Sequence, residues 1–307
     1  MVFFDEETRE SLTNRTRDVL NLAMHCFEAP CKINLNLRIV GKRDDGFHEV
    51  DTLMAPLSLA DRLEFEPISH GVELVCDTPG VPLDESNLVI KAIRVMEREL
   101  GRDLSYRVRL VKNVPHGAGL GGGSSDAAST LLAVNQLEKA GLSQEHLIKL
   151  AAELGSDIGF FLGGGICRCT GRGEKVQAAP EPERSFKAPI LLLKPVFGVS
   201  TPDAYRRWKA SKQLPNIPYD PVSWGGIEWV NDLERPVFEK FLILGEIKRW
   251  LKEQQGVKVA LMSGSGSTMF AVLEDERAGE DIVQRAKQEL DPTLWTWVGN
   301  CGAGVLD

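Results

Sequence analysis

No stretch of this 307-residue chain approaches the ~20 consecutive apolar residues that a membrane-crossing helix needs. Its six cysteines, Cys26, Cys31, Cys76, Cys167, Cys169 and Cys301, contain no C-x-x-C pair. They lack metal-ligand spacing, and with no secretory signal they are expected as reduced cytosolic thiols. An excess of basic residues is also missing. The chain has 36 Lys+Arg against 44 Asp+Glu, a net charge of −8. That argues against a nucleic-acid or anionic-membrane partner but leaves room for a local positive site. Residues 1–26 carry Asp5, Glu6, Glu7 and Glu10 beside Arg9, Arg15 and Arg17, unlike the basic-then-apolar start of a signal peptide or an acid-poor transit peptide. They read as an N-terminal extension, with Met24 as an alternative start, and the expected location is cytoplasmic. There is no internal repeat and no low-complexity tract. Length predicts two domains and leaves monomer and weak dimer both open.

What is abundant is glycine, and it is concentrated. Between Asn113 and Ser129, five glycines fall within seven positions: Gly117, Gly119, Gly121, Gly122 and Gly123. A strand-like run, Tyr106 to Val114, precedes them, and a helix-like run, Ser124 to Glu138, follows. Strand, glycine loop and helix start together form an anion site. Glycine lets the backbone approach a ligand, and the first helical N–H groups have no internal partners and lie at the positive end of the helix dipole. A phosphate is the natural occupant. Known phosphate loops fit poorly. Gly117, Gly119 and Gly122 spell G-x-G-x-x-G, but no acidic residue ends a second strand about twenty positions on. Gly-Ser-Ser replaces the Walker G-K-[ST], and the V-A-x-K of protein kinases is absent. A flexible Gly/Ser linker is the bland alternative, opposed by the tight bracketing of Pro115 and a patterned helix.

Pro115-His116-Gly117-Ala118-Gly119-Leu120-Gly121-Gly122-Gly123-Ser124-Ser125 resembles the central motif of the GHMP kinases, a family of small-molecule kinases. The resemblance implies that these eleven residues wrap the triphosphate of ATP, with Mg²⁺ held partly through Ser124 or Ser125. Two more stretches carry the same likeness. Ala29-Pro30-Cys31-Lys32-Ile33-Asn34 matches Pro-x-Lys-[Ile/Leu/Val]-Asn, on a strand from Cys31 to Val40 whose alternation predicts one buried face (Ile33, Leu35, Leu37, Ile39) and one open face (Lys32, Asn34, Asn36, Arg38). Locally Lys32 reads better as a solvated strand lysine; the resemblance makes it a site residue with Asn34. Val257 to Leu273 holds Ser263-Gly264-Ser265-Gly266-Ser267-Thr268 between two apolar strands. That is either a long hairpin turn or, by resemblance, the loop through which Gly264 and Gly266 shape the acceptor region.

Two further matches point within the family to a branch acting on a cytidine diphosphate-linked methylerythritol, a step of the non-mevalonate isoprenoid route. Arg43-Asp44-Asp45-Gly46-Phe47-His48 would place Phe47 on the cytosine ring and His48 in hydrogen-bonding reach of it; Tyr205, in Thr201-Pro202-Asp203-Ala204-Tyr205, would be the second stacking aromatic. Local pattern alone reads His48 as incidental and Tyr205 equally as a core residue. Gly155-Ser156-Asp157-Ile158-Gly159-Phe160-Phe161 matches the segment whose aspartate serves as base, although an aspartate just past a helix stop is also an ordinary turn former. Gly159 stands where proline is usual, which loosens the turn.

The implied fold is α/β (α+β), the GHMP kinase fold. A ribosomal protein S5 domain 2-like N-terminal domain spans residues 27–183 and a ferredoxin-like C-terminal domain spans 188–307, with Ala178 to Lys187 as linker. The implied chemistry is transfer of the ATP γ-phosphate to a substrate hydroxyl. Asp157 would act as base, with Lys32 beside it keeping the carboxylate anionic and steadying the moving phosphoryl group. Two alternatives stay open: another small-molecule kinase of the family, and a non-catalytic nucleotide-binding member.

Overall fold

The computed structural model describes residues 24–302. Most of the residues read as an extension, 1–23, lie outside that range, as does the end of the chain from 303. His25 and Cys26, assigned above to the extension, already belong to the first strand.

Two long antiparallel strands, β1 (His25–Lys42) and β2 (His48–Pro67), form the spine. The sequence pattern suggests two separate strands at Glu49 to Leu53 and Arg62 to Ile68. The structure joins them. Pro56 lies opposite Lys32, beside the irregularity at Cys31, where a missing N–H disturbs the ladder least.

On the N-terminal side the sheet extends through β3 (Val72–Val75), β4 (Tyr106–Val111), β5 (Cys167–Gly171) and β6 (Lys175–Ala178). Helices α1 (Leu88–Leu100), α2 (Gly122–Leu137) and α3 (Gln144–Leu154) cover it. Helix α1 begins where Asn87 accepts from the Val89 N–H at 2.9 Å, and it ends at left-handed Gly101. On the C-terminal side lie β7 (Lys187–Lys194), α4 (Thr201–Arg207), β8 (Val222–Trp224), β9 (Ile227–Asn231), α5 (Glu234–Lys240), α6 (Leu242–Lys252), β10 (Val257–Met262), β11 (Met269–Leu273), α7 (Arg277–Glu289) and β12 (Trp295–Gly302). The main strand order is β10-β11-β7-β12-β2-β1-β9-β8, so both halves share one twelve-stranded sheet.

The apolar interior has three parts. One lies under α1–α3 and one under α4–α7. Between them, Ile33 and Leu35 of β1 and Ala55 and Leu57 of β2 pack with Ile190, Leu192, Trp229, Leu261 and Phe270 from the C-terminal half. Burial of this seam, at roughly 25 cal/mol per Å² of apolar area, fixes the halves against each other. The segment read as a linker is correspondingly ordered: Glu183–Ser185 make a 3₁₀ turn and Phe186 is buried in the seam.

Candidate active site

The alternation of β1 predicted Lys32 and Asn34 on an open face. The structure corrects this, since both are buried, at 3% exposure each. The glycine loop and the 263–268 turn close over them. The Lys32 N–H donates to the Leu120 carbonyl at 2.9 Å, and a Cβ on Gly264 would stand 3.3 Å from Asn34 Oδ1. The buried ammonium is compensated on two sides. Lys32 Nζ donates to Asn34 Oδ1 at 2.7 Å and lies 3.7 Å from Asp157 Oδ2. Asn34 Nδ2 in turn donates to Thr52 Oγ1 at 2.8 Å, and that hydroxyl donates to the Asn36 carbonyl at 2.6 Å. A buried cation is tolerable only when paired and hydrogen-bonded, and this relay orients Lys32 toward Asp157.

Asp157 sits between the end of α3 and a 3₁₀ turn, Gly159–Leu162. Its neighbours Ile158 and Phe160 are buried at 0% and 1% exposure. These anchors hold the carboxylate in place despite Gly159, whose position is tightly walled by Val176 and Ile148.

The glycine loop is fastened to the protein by its carbonyls and leaves its amides free. The Ala118, Gly119 and Leu120 carbonyls accept from the Thr268 N–H, the Ser263 hydroxyl and the Lys32 N–H. Among the described residues, no group accepts from the N–H groups of 117–121, and α2 starts at left-handed Gly121 with no side-chain cap, so the N–H groups of its first turn are open too. The Ala118 and Leu120 side chains are buried in the seam, so only their main chain can face a ligand. Gly119 lies so close to the 263–268 turn that a Cβ would overlap the Ser263 carbonyl oxygen. Helix α2 reaches this position because its inner face is small: Ser125 Oγ donates to the Pro30 carbonyl at 2.6 Å and Ser129 Oγ to the Glu28 carbonyl at 2.9 Å. These bonds separate the two candidate metal ligands. Ser125 is fully buried and engaged, whereas Ser124 is half-buried on the cleft wall.

Lys32, Asn34, Asp157, Ser124 and the glycine loop line a cleft of about 1080 Å³. Pro115, His116, Gly117, Gly122 and Gly123 lie on its wall, as do Phe47, His48 and Tyr205. The His48 and Tyr205 rings are 5.2 Å apart, and Trp208 meets His48 edge-on at 6.0 Å. Burial, then the charge of Lys42, lowers the His48 pKa from its ordinary value; burial raises that of Tyr205. Phe47 is 53% exposed. Gly264 lies on the wall. Gly266 does not, because its turn folds back on Met262 and Val199.

Sequence reading passed over several residues of the wall. Lys112 bridges two buried carboxylates, Asp61 and, at 2.8 Å, Asp126. Asp61 also receives the N–H groups of Asn113 and Val114 at 2.6 and 2.8 Å, which sets the entry to the glycine loop. Asp126 Oδ1 is buried without a partner. Burial pushes the Asp126 carboxyl up to about 7, against the pull of Lys112 and with the charge of Asp61 adding to the rise. Trp208 and Arg172 also line the cleft. The positions of Lys112 before the loop and Asp126 after the serines were the only signals, and neither type is unusual on a strand or helix. Asn231 donates to the Met262 and Gly264 carbonyls at 2.7 and 2.8 Å and braces the 263–268 turn.

Open amides beside an ammonium–carboxylate pair suit the transfer of a phosphoryl group. The model of the GHMP kinases N terminal domain matches residues 87–165 and that of the GHMP kinases C terminal region matches 224–291. Fold and site together define a GHMP kinase. A 4-diphosphocytidyl-2-C-methyl-D-erythritol kinase of Methylacidiphilum infernorum is 45% identical over 274 residues, 87% of this chain and 93% of the relative. The chloroplastic/chromoplastic kinase of the same name from Solanum lycopersicum is 41% identical over 87% of this chain and 69% of its own length. A solved 4-(cytidine 5'-diphospho)-2C-methyl-D-erythritol kinase superposes with a TM-score of 0.73 at 35% identity, covering 91% of this chain and all of the other. The chain belongs to the family of these kinases. A mevalonate kinase, at 12% identity and a TM-score of 0.63, shares the fold.

Proposed function

We propose that the chain transfers the γ-phosphate of ATP to the 2-hydroxyl of 4-diphosphocytidyl-2-C-methyl-D-erythritol, a step in isoprenoid synthesis by the non-mevalonate route, in the cytoplasm. The lobes are residues 27–183 and 188–307, and the reaction takes place in the cleft at their seam. The observation that carries this reading is the 3.7 Å approach of Lys32 Nζ to Asp157 Oδ2 beside unbonded loop amides, in a chain that a relative of that name matches over 87% of its length.

The amides of Gly117 to Ser124 receive the triphosphate of ATP. Asp157 accepts the proton of the attacking hydroxyl. Lys32, held by Asn34, neutralises charge on the phosphoryl group in flight. Mg²⁺ fits the donors present. It takes oxygen ligands and keeps waters and phosphate oxygens about it, so one open hydroxyl at the helix start suffices, and Ser124 supplies it while Ser125 does not. When bound, the ion offsets charge on the phosphates. Phe47, His48 and Tyr205 hold the cytosine. A His48 ring kept neutral presents one donor and one acceptor nitrogen to the base.

An acceptor panel with γ-labelled ATP tests the reading. The cytidine-linked methylerythritol should take the label, and mevalonate, homoserine and galactose should not. Labelling of one of those three instead would overturn the substrate, and ATP binding with no labelled product from any acceptor would favour a non-catalytic member.

A further inference from the structure

Arg172 stands at the tip of the β5–β6 hairpin, on the wall of the cleft. The backbone of that tip touches the reacting end: a Cβ on Gly173 would lie 3.4 Å from Asp157 Oδ1. The side chain reaches Phe47, with its guanidinium carbon 4.9 Å from the centre of that ring. The tip is braced, since the Arg172 N–H donates to Glu174 Oε2 at 2.6 Å and the Gly173 N–H to the Thr170 carbonyl at 3.1 Å. Neighbouring arginines are neutralised. Arg168 pairs with Asp51, and Arg43 pairs with Asp45 and Glu49. Arg172 forms no ion pair among the described residues, although it is half-buried on the cleft wall. An unpaired, partly desolvated guanidinium facing a cleft is a ready partner for an anion, because its planar fork matches phosphate oxygens two at a time.

The covalent order of the substrate says which anion. Resting on the function proposed above, the base lies by Phe47 and the acceptor hydroxyl by Asp157, and the group that joins them is a diphosphate. We propose that Arg172 is a specificity-determining residue that clamps the diphosphate of the cytidine-linked substrate, with Phe47 as the platform that holds its guanidinium flat. This site is separate from the amides that receive ATP, so the two polyphosphates of one turnover have different receptors.

The test compares cytidine with cytidine diphosphate on the full-length chain, by NMR titration or calorimetry, for wild type, Arg172→Ala and Arg172→Lys. Loss of a charge-assisted bidentate contact should weaken cytidine diphosphate about ten- to a hundredfold in Arg172→Ala. Cytidine itself, which has no phosphate, should bind the variant as it binds wild type, and KM for ATP should not move. Arg172→Lys should fall between, keeping the charge without the fork. Equal weakening of cytidine and its diphosphate would reduce Arg172 to a support for Phe47 and overturn the clamp, as would no change in either. Cytidine diphosphate that fails to bind wild type gives a different pattern: it refutes the substrate reading itself, and the clamp with it.

Discussion

At the scale of single residues, the site divides into groups that are held and groups that are open. Lys32 is held by Asn34, and Asp157 is held by its buried neighbours while its own side chain stays 41% exposed toward the cleft. Replacing the carboxylate by an amide keeps the shape and removes the proposed base. Asp157→Asn should lower kcat by at least about 100-fold and leave ATP affinity within error, as read by steady-state rates and by equilibrium binding of an ATP analogue. An Asp157→Asn enzyme of normal kcat would refute the base. The serine pair allows a cleaner contrast. Ser125→Ala removes a buried hydrogen bond to Pro30 and should lower unfolding free energy by about 1 kcal/mol. Ser124→Ala should leave stability alone and raise the Mg²⁺ concentration needed for half-maximal rate. If the magnesium requirement moved with Ser125 instead, the assignment would be reversed. Phe47→Ala should raise KM for the cytidine substrate about tenfold, the order of one lost base stack.

At the scale of elements, the phosphate loop depends on a turn from the other half of the chain. Gly117 and Gly119 both have positive φ, +63° and +77°. A Cβ at 117 meets nothing within 4 Å, whereas one at 119 overlaps the Ser263 carbonyl and crowds Gly266. Gly117→Ala should therefore cost only the left-handed backbone penalty, about 1–2 kcal/mol. Gly119→Ala should cost clearly more and weaken ATP binding, because the loop must leave the 263–268 turn. Urea unfolding of both variants checks the order, and equal losses would mean that the turn does not brace the loop. This pair also shows what was legible in the sequence. The glycine cluster was plain, as were the helix after it and the Asp157 segment, and the helix from Leu88 to Leu100 was legible with Gly101 as its stop, although the sequence offered Ser86 and Asn87 alike as its cap. The different duties of two similar glycines were not, because they depend on a turn some 145 positions away. The joining of two expected strands into β2 was hidden for the same reason: Pro56 interrupts a local pattern but does no harm opposite an irregularity in β1.

At the scale of the whole molecule, the buried Asp61–Lys112–Asp126 group links stability to pH. Burial, with the charge of Asp61 adding to it and Lys112 opposing it, pushes the Asp126 carboxyl up to about 7 in the folded chain against an ordinary value of 3.8. Between those limits the folded state holds a proton that the unfolded state has released, and raising the pH across that window removes stability. Asp126→Asn deletes this contribution. The unfolding free energy of wild type minus that of Asp126→Asn should therefore fall between pH 5 and pH 8, measured by urea denaturation of both proteins. A difference that is constant or rises over that range would show that Asp126 is not the group responsible.

The chain's order of residues was enough to set the class of chemistry, since a glycine-rich strand-to-helix turn has few uses other than holding phosphate and its flanking motifs fall in family order. Only the tertiary structure decided which side chains meet. It buried Lys32 and Asn34, which strand alternation had placed in solvent, separated Ser124 from Ser125, left Gly266 off the wall and brought Arg172 under Phe47. The physical reason is that alternation and motif spacing report on one strand or loop at a time. A buried ion pair, a blocked Cβ or an unpaired guanidinium depends on how β1, the 263–268 turn and the β5–β6 hairpin close on one another across the seam.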